Sequence, residues 1–165
     1  MLKITTDGRK AALDMRLVDS LLSVGCQSKV GRCVENVAHI YFRTMKDRLT
    51  QVIFCDYSTP KKGFNIYDDI KVRLKNLGIP ENEIAFAHSA NTEKKRKQLF
   101  DDVRKGKIRV ILGSTFKIGM GVNIQDRLIA LHHIDVPWRP ADVGRILRTF
   151  KIKKNVEVTD NGKII

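Results

Sequence analysis

Small and hydroxyl-bearing residues follow an apolar run in the second half of the chain. Ser114 and Thr115 come first, and Gly119, Gly121 and Asn123 follow shortly after them. Small residues let a phosphate approach the backbone, and hydroxyl and N–H groups can donate hydrogen bonds to it. The pattern therefore favours a contact with a nucleic-acid backbone. The alternative is a strand-to-helix loop whose glycines need positive φ.

Charged residues follow the next apolar run. Asp135 ends the run at residues 128–134, and Arg145 and Arg148 come after a proline-rich turn at 137–140. A guanidinium group is always charged and makes forked contacts, which suits the charge that develops on a transferring phosphoryl group. Arginines three apart on a helix share one face, although such pairs also occur on solvated helices.

This order of features resembles the C-terminal RecA-like lobe of superfamily 2 helicases, and within it the SNF2-type branch. The nearest likeness is to the helicase portion of helicase/methylase-like proteins of conjugative and phage elements. In that family the fifth motif reads Ser-Thr, Gly-x-Gly, hydrophobic, Asn, and a strand ending in Asp and a Pro-Trp-x-Pro turn follow. The matching residues are Ser114, Thr115, Gly119, Gly121, Asn123, Asp135, Pro137, Trp138 and Pro140. The likeness covers residues 28–158, and His88, Glu93, Arg96 and Phe100 match the preceding run.

The sixth motif departs from the family. Only Gly144, Arg145 and Arg148 remain of it, and relatives place about four more residues, including a Gln, before Gly144. If the segment is helical, losing four residues shortens it by ~6 Å and rotates the residues after the deletion by only about 40°. We therefore expect both arginines to keep their face but to lie one turn too close to the sheet.

The resemblance also implies a role for each site residue. In these helicases the first lobe holds ATP and Mg²⁺, and the second lobe donates arginines across the cleft. The implied catalytic residues are Arg145 and Arg148; the nucleotide-cleft residues are Gly119, Gly121, Asn123 and Asp135; the DNA-binding residues are Ser114, Thr115, Lys117 and His88. The implied partners are DNA and an N-terminal lobe with the phosphate loop, and a methylase domain is a further candidate.

The sequence lacks two parts of a nucleotide-hydrolysing site. It contains neither a GxxxxGK[ST] phosphate loop nor an Asp-Glu pair to hold Mg²⁺, and ATP hydrolysis needs both functions. We expect no ATPase activity from this chain alone, and we expect ATP and Mg²⁺ to bind only when a partner lobe is present. His132 and His133 are adjacent, so on a strand they face opposite sides and do not form a chelating pair.

The charge balance favours a polyanionic partner. Lys and Arg number 31 against 18 acidic residues, which gives a net charge of +13. The alternative is a merely basic domain or a fragment of a longer protein. No apolar run approaches the ~20 residues of a membrane span, and the first residues lack the hydrophobic region that is typical of a signal peptide. Cys26, Cys33 and Cys55 show no CxxC spacing, so we expect a reduced, cytoplasmic protein.

Strands and helices alternate along the chain. Strands are predicted at 51–56, 84–86, 108–112, 128–134 and 155–158, with helices at 28–48, 66–77 and 91–105. This alternation predicts a three-layer α/β lobe whose sheet of about five to seven strands is mainly parallel. Residues 1–27, with a turn at 6–9 and a short helix at 11–17, are predicted to be a connector or N-terminal extension. Residues 28–165 are the predicted helicase C-terminal RecA-like domain.

The predicted function is the C-terminal motor lobe of a SNF2-type DNA helicase or translocase. Such a lobe would bind DNA and complete an ATP site with a separate first lobe. The alternatives are a catalytically inactive, stand-alone DNA- or protein-binding module and, below that, a scaffold domain.

Overall fold

The structure is a computed structural model that describes residues 2–19, 28–60, 62–118, 123–135, 157–160 and 163–164. The helices are α1 (Leu2–Leu13), α2 (Lys29–Arg43), α3 (Ile66–Asn76), α4 (Glu93–Arg104) and α5 (Thr115–Ile118). The strands are β1 (Thr50–Phe54), β2 (Ile84–Phe86), β3 (Val110–Gly113), β4 (Leu128–His133), β5 (Glu157–Asp160) and β6 (Lys163–Ile164).

The strands form one sheet in the order β2-β3-β1-β4-β5-β6. Every neighbouring pair from β2 to β5 is parallel, and β6 alone pairs antiparallel, with β5. Parallel strands need crossover connections, and α3 and α4 supply two of them. The predicted three-layer, mainly parallel α/β fold is confirmed.

Alternating residues of the central strands face two separate cores. One core lies under α2 and α3 and includes Ile53, Val110 and Leu112. The other lies under α4 and includes Val52, Phe54, Ile111, Leu131, Phe100 and Val103. Because β1 is covered on both faces, all five of its residues are buried, the polar Thr50 and Gln51 as well as the apolar residues 52–54.

Helix ends follow local sequence signals. The Ser28 hydroxyl accepts a hydrogen bond from Gly31 N at 3.1 Å and caps α2, as predicted. Asn65 caps α3 in the same way. Gly78 and Gly106 follow α3 and α4 with φ of +95° and +71°, a conformation that a side chain would strain. The helix predicted at 28–48 is shorter than expected, because α2 ends at Arg43.

The N-terminal prediction needs correction. The turn predicted at residues 6–9 is wrong, because these residues lie inside α1, and the short helix predicted at 11–17 is the end of α1 followed by a 3-10 turn at Met15–Leu17. Arg16 in that turn bonds Asp14 at 2.7 Å and Asp69 of α3 at 2.9 Å. Leu13 packs into the α2–α3 core. These contacts fix the segment on the domain.

Two further observations complete the fold. Cys33 and Cys55 are buried free thiols, and Cys26 lies outside the described residues. Across the described ranges, no helix combines the length and apolar character needed to cross a bilayer.

Candidate functional site

Polar residues follow the carboxyl ends of four neighbouring parallel strands. Asp56 lies just beyond β1, His88 lies in the 3-10 turn Ala87–Ser89 after β2, Ser114 follows β3, and Asp135 lies just beyond β4. Parallel strands end at one edge of the sheet, so these residues share one surface, here called the carboxyl edge. Open α/β sheets place their ligand sites there.

Asp56 and Thr115 are joined by two hydrogen bonds across this edge. Thr115 N donates to Asp56 Oδ1 at 2.7 Å, and the Thr115 hydroxyl donates to Asp56 Oδ2 at 2.8 Å. Both oxygens of one carboxylate thus hold the first residue of α5. The donors that were expected to meet a phosphate are engaged within the protein.

Asp135 ties the end of β4 to the end of β1. Its Oδ2 accepts hydrogen bonds from Asp56 N at 2.6 Å and from Tyr57 N at 2.8 Å. Its Oδ1 is buried and has no hydrogen-bond partner within the part of the chain that the structure describes. Burial raises the pKa of Asp135 to about 6, and the negative charge of Asp56 acts in the same direction.

A pocket of about 180 Å³ lies beside Asp135. Its polar lining comes from Asp135, Arg9, Lys29 and Tyr57, with an apolar wall from Ala12, Leu13 and Ile134. The Arg9 guanidinium stacks 4.4 Å above the Tyr57 ring. The pocket lining therefore combines two basic residues, which can attract an anion, with one aromatic residue and one acidic residue, which can accept a hydrogen bond.

His88, Ser114 and Lys117 lie together where β2 and β3 end. Ser114 Oγ accepts a hydrogen bond from Lys117 N at 3.2 Å. The His88 ring meets Tyr67 edge-to-face at 5.3 Å. Burial lowers the pKa of His88, and the positive charge of Lys117 lowers it further, which favours the neutral imidazole. With Thr115, these three residues are the four that the sequence assigned to DNA, and the structure brings them together.

The structure does not bring Asn123 to the same place. The Asn123 carbonyl accepts a hydrogen bond from Arg104 Nη1 at 3.0 Å, at the C-terminal end of α4. That end of α4 precedes β3, on the side where strands begin. The other predicted site residues, Gly119, Gly121, Arg145 and Arg148, lie outside the described residues, as do Pro137, Trp138 and Pro140.

His132 and His133 face opposite sides of β4, as predicted. Gln51 Nε2 donates to Val37 O at 2.9 Å, so Gln51 Oε1 is left to accept, and His132 Nε2 must carry the hydrogen of their 2.9 Å contact. Burial lowers the pKa of His132 to about 3, so the ring stays neutral. His133 stacks on Phe54 at 4.7 Å on the other face. Both histidines serve the core.

Sequence reasoning missed Asp56 as a site residue. It was included in the predicted strand at 51–56, although β1 ends at Phe54. A signal was available, because Asp56 is the first charged residue after a buried apolar run, and such residues gather at the carboxyl edge.

Comparison with known protein families identifies the class. The model for the helicase conserved C-terminal domain matches residues 34–152, well over half of the chain. The chain therefore belongs to the helicase C-terminal domain family, and the expected helicase lobe is confirmed.

Two solved structures share the fold. The C-terminal part of the Fun30 ATPase domain superposes with a TM-score of 0.58 at 17% identity, covering 92% of this chain and 47% of that one. The DUF1998 helicase MrfA bound to DNA gives a TM-score of 0.50 at 15% identity, covering 70% of this chain and 16% of that one. The chain thus matches less than half of either structure. The comparison with curated proteins gave no significant match.

Proposed function

We propose that this chain is the C-terminal motor lobe of a SNF2-type DNA helicase or translocase, of the kind carried by mobile genetic elements. In this proposal the lobe binds DNA and contributes Arg145 and Arg148 to an ATP site that it shares with an N-terminal lobe. The observation that carries the proposal is the carboxyl edge, where a hydroxyl- and cation-bearing cluster lies beside the Asp135 pocket.

The DNA side of the proposal rests on charge and geometry. Ser114, Thr115, Lys117 and His88 converge at the ends of two neighbouring strands, and the chain carries a net charge of +13. Lys117 supplies a cation there, and cations dominate affinity for a phosphate backbone. The lowered pKa of His88 favours a neutral ring, which can add a hydrogen bond.

The nucleotide side rests on the Asp135 pocket. A nucleotide offers hydroxyl donors and anionic phosphates, and the pocket is lined by the acidic residue Asp135 and by the basic residues Arg9 and Lys29. These groups fit part of a nucleotide. The sequence has no phosphate loop and no Asp-Glu pair, so the phosphate cradle and the Mg²⁺ ligands would come from the partner lobe. ATP bound there would supply the energy for movement along DNA.

ATP turnover tests the proposal. We expect no hydrolysis by the purified chain, with or without DNA, and little DNA-stimulated hydrolysis when it is fused to a helicase first lobe that carries a phosphate loop. Inserting Glu-Gln-Arg-Glu between Val143 and Gly144 of the fusion should raise turnover at least ~10-fold, because a misplacement of ~1 Å can already cost ~100-fold. Arg145→Ala in the inserted fusion should remove the gain.

Turnover by the isolated chain that persisted in Arg145→Ala would overturn the two-lobe proposal. The shortened sixth motif favours a second candidate, a catalytically inactive DNA- or protein-binding module. DNA binding by an inserted fusion that still lacked turnover would support that candidate.

A further inference from the structure

The carboxylate of Asp56 occupies both donors of Thr115. The two hydrogen bonds, at 2.7 and 2.8 Å, use separate oxygens of the carboxylate, so the contact is bidentate. Thr115 begins α5, and Lys117 lies in the same short helix. The position of Thr115 therefore helps to set where Lys117 lies on the carboxyl edge.

We propose that Asp56 is a positioning residue of the DNA-binding surface and acts through Thr115 rather than by touching DNA. The inference rests on the proposed function, because it concerns the same surface. In this proposal Thr115 donates its hydrogen bonds to Asp56 within the protein, and neighbours such as Lys117 make the direct contacts with phosphate.

A continuous set of hydrogen bonds supports this role. Asp135, beyond β4, accepts from the backbone of Asp56 and Tyr57 at 2.6 and 2.8 Å, which fixes the backbone that presents the Asp56 carboxylate. Asp56, beyond β1, then fixes Thr115, beyond β3. Three strand ends are joined through two carboxylates, so a displacement at one of them is passed to the others.

The helix α5 is packed tightly against the residues beneath it. A Cβ on Gly113 would lie 2.6 Å from Ile118 Cγ1 and 2.9 Å from the Ala87 Cβ, closer than side chains normally approach. The short helix therefore rests directly on the end of β3 and on the turn that carries His88. Packing therefore supports the underside of α5, and the Asp56 contact holds its first residue.

Electrostatics and positioning predict opposite signs for the loss of Asp56. A carboxylate on a DNA-binding surface repels phosphate, so charge alone predicts tighter binding when it is neutralised. A direct phosphate role for Thr115 predicts the same, because its donors would be released. Positioning predicts weaker binding, because Thr115 and Lys117 of α5 lose the contact that fixes the start of their helix.

The test is the dissociation constant for a duplex oligonucleotide, measured with Asp56→Asn over a series of salt concentrations. We expect affinity to fall roughly five-fold at each salt concentration, the effect of one or two lost hydrogen bonds. The slope against salt should not change, because no lysine or arginine is removed. Hydrogen exchange at the Thr115 amide should become faster.

Glu81→Gln is the matched control, because it changes the net charge equally. Glu81 lies in the turn before β2, at the opposite edge of the sheet, and it pairs with Lys71 and Lys75 of α3. We expect its affinity to be unchanged or slightly tighter. Thr115→Val removes the hydroxyl that donates to Asp56 Oδ2 but keeps the backbone N–H that donates to Oδ1, and it provides a second variant should Asp56→Asn fold poorly. It should weaken binding, and the double variant should be no weaker than Asp56→Asn alone.

Tighter binding by Asp56→Asn, or unchanged binding by Thr115→Val, would overturn the positioning role while leaving the proposed function intact. Absence of DNA binding by the wild-type chain would overturn the proposed function and this inference together.

Discussion

Asp135 shows at the scale of one residue how the site is linked to stability. Its carboxyl group is buried, one oxygen holds two backbone N–H groups, and the pocket beside it brings Arg9 and Lys29 close. Burial raises the pKa from 3.8 to about 6. Because the folded chain holds this proton more tightly than the unfolded chain, stability falls as pH rises from about 4 to about 6.

Asp135→Asn should therefore stabilise the chain at neutral pH. Asn can still accept hydrogen bonds through its oxygen, and it removes the cost of ionising a buried group. The difference between 3.8 and about 6 sets an upper limit of ~3 kcal/mol on the gain at pH 7. Urea unfolding of both proteins between pH 4 and pH 8 measures it.

The stability gain of Asp135→Asn over wild type should depend on pH in a defined way. The gain should be small near pH 4, grow until about pH 6 and stay constant above. A constant gain over the whole range, or a loss that grows with pH, would show that the folded chain favours the charged form of Asp135.

At the scale of elements, α1 and the turn after it are held by one arginine. Arg16 bridges Asp14 and Asp69, and its guanidinium also lies 4.4 Å above the Phe64 ring. Hydrogen bonds to both carboxylates raise the pKa of Arg16, so it stays charged. Because Asp14 and Asp69 are largely buried, losing Arg16 is costly: Asp14 loses this cation, and Asp69 keeps its bond to Arg73.

Arg16→Ala should lower the free energy of unfolding by about 2 kcal/mol, because it leaves two partly buried carboxylates without this partner. Arg73→Ala is the matched control. Arg73 also bonds Asp69, but from four residues along α3 and at a more exposed position, so its loss should cost under ~0.5 kcal/mol. Denaturant unfolding measures both. Equal losses would show that Arg16 contributes nothing beyond an ordinary surface pair.

Local signals predicted most elements but not α1. Apolar periodicity, the Ser28 cap and the glycines after α3 and α4 located the helices and strands to within a few residues, because each signal acts within its own segment. The Asp-Gly sequence at residues 7–8 predicts a turn by the same rules. Burial of Leu13 and the Arg16 contacts with distant Asp69 override it. Such long-range contacts produce no pattern in the local sequence from which they could be predicted.

At the scale of the whole molecule, the chain is a basic helicase C-terminal domain whose polar residues gather at one edge of the sheet. The sequence predicted part of that edge, because Ser114 and Thr115 follow one apolar run and Asp135 follows the next. It did not predict the pairing of Asp56 with Thr115, which joins residues 59 positions apart. Nor did it predict the pocket, which α1 completes.

The most direct test of the DNA-binding account is the salt dependence of duplex DNA binding by wild type, Lys117→Gln and Lys75→Gln. Lys117 lies at the carboxyl edge, whereas Lys75 lies at the far end of α3 beside Glu81, 2.5 Å away. Affinity of the wild type should be weak, independent of sequence, and fall steeply with salt. Lys117→Gln should reduce the slope of log affinity against log salt by about one, and Lys75→Gln should leave it unchanged. A flat salt dependence, or equal effects of the two substitutions, would contradict a DNA-binding surface at the carboxyl edge.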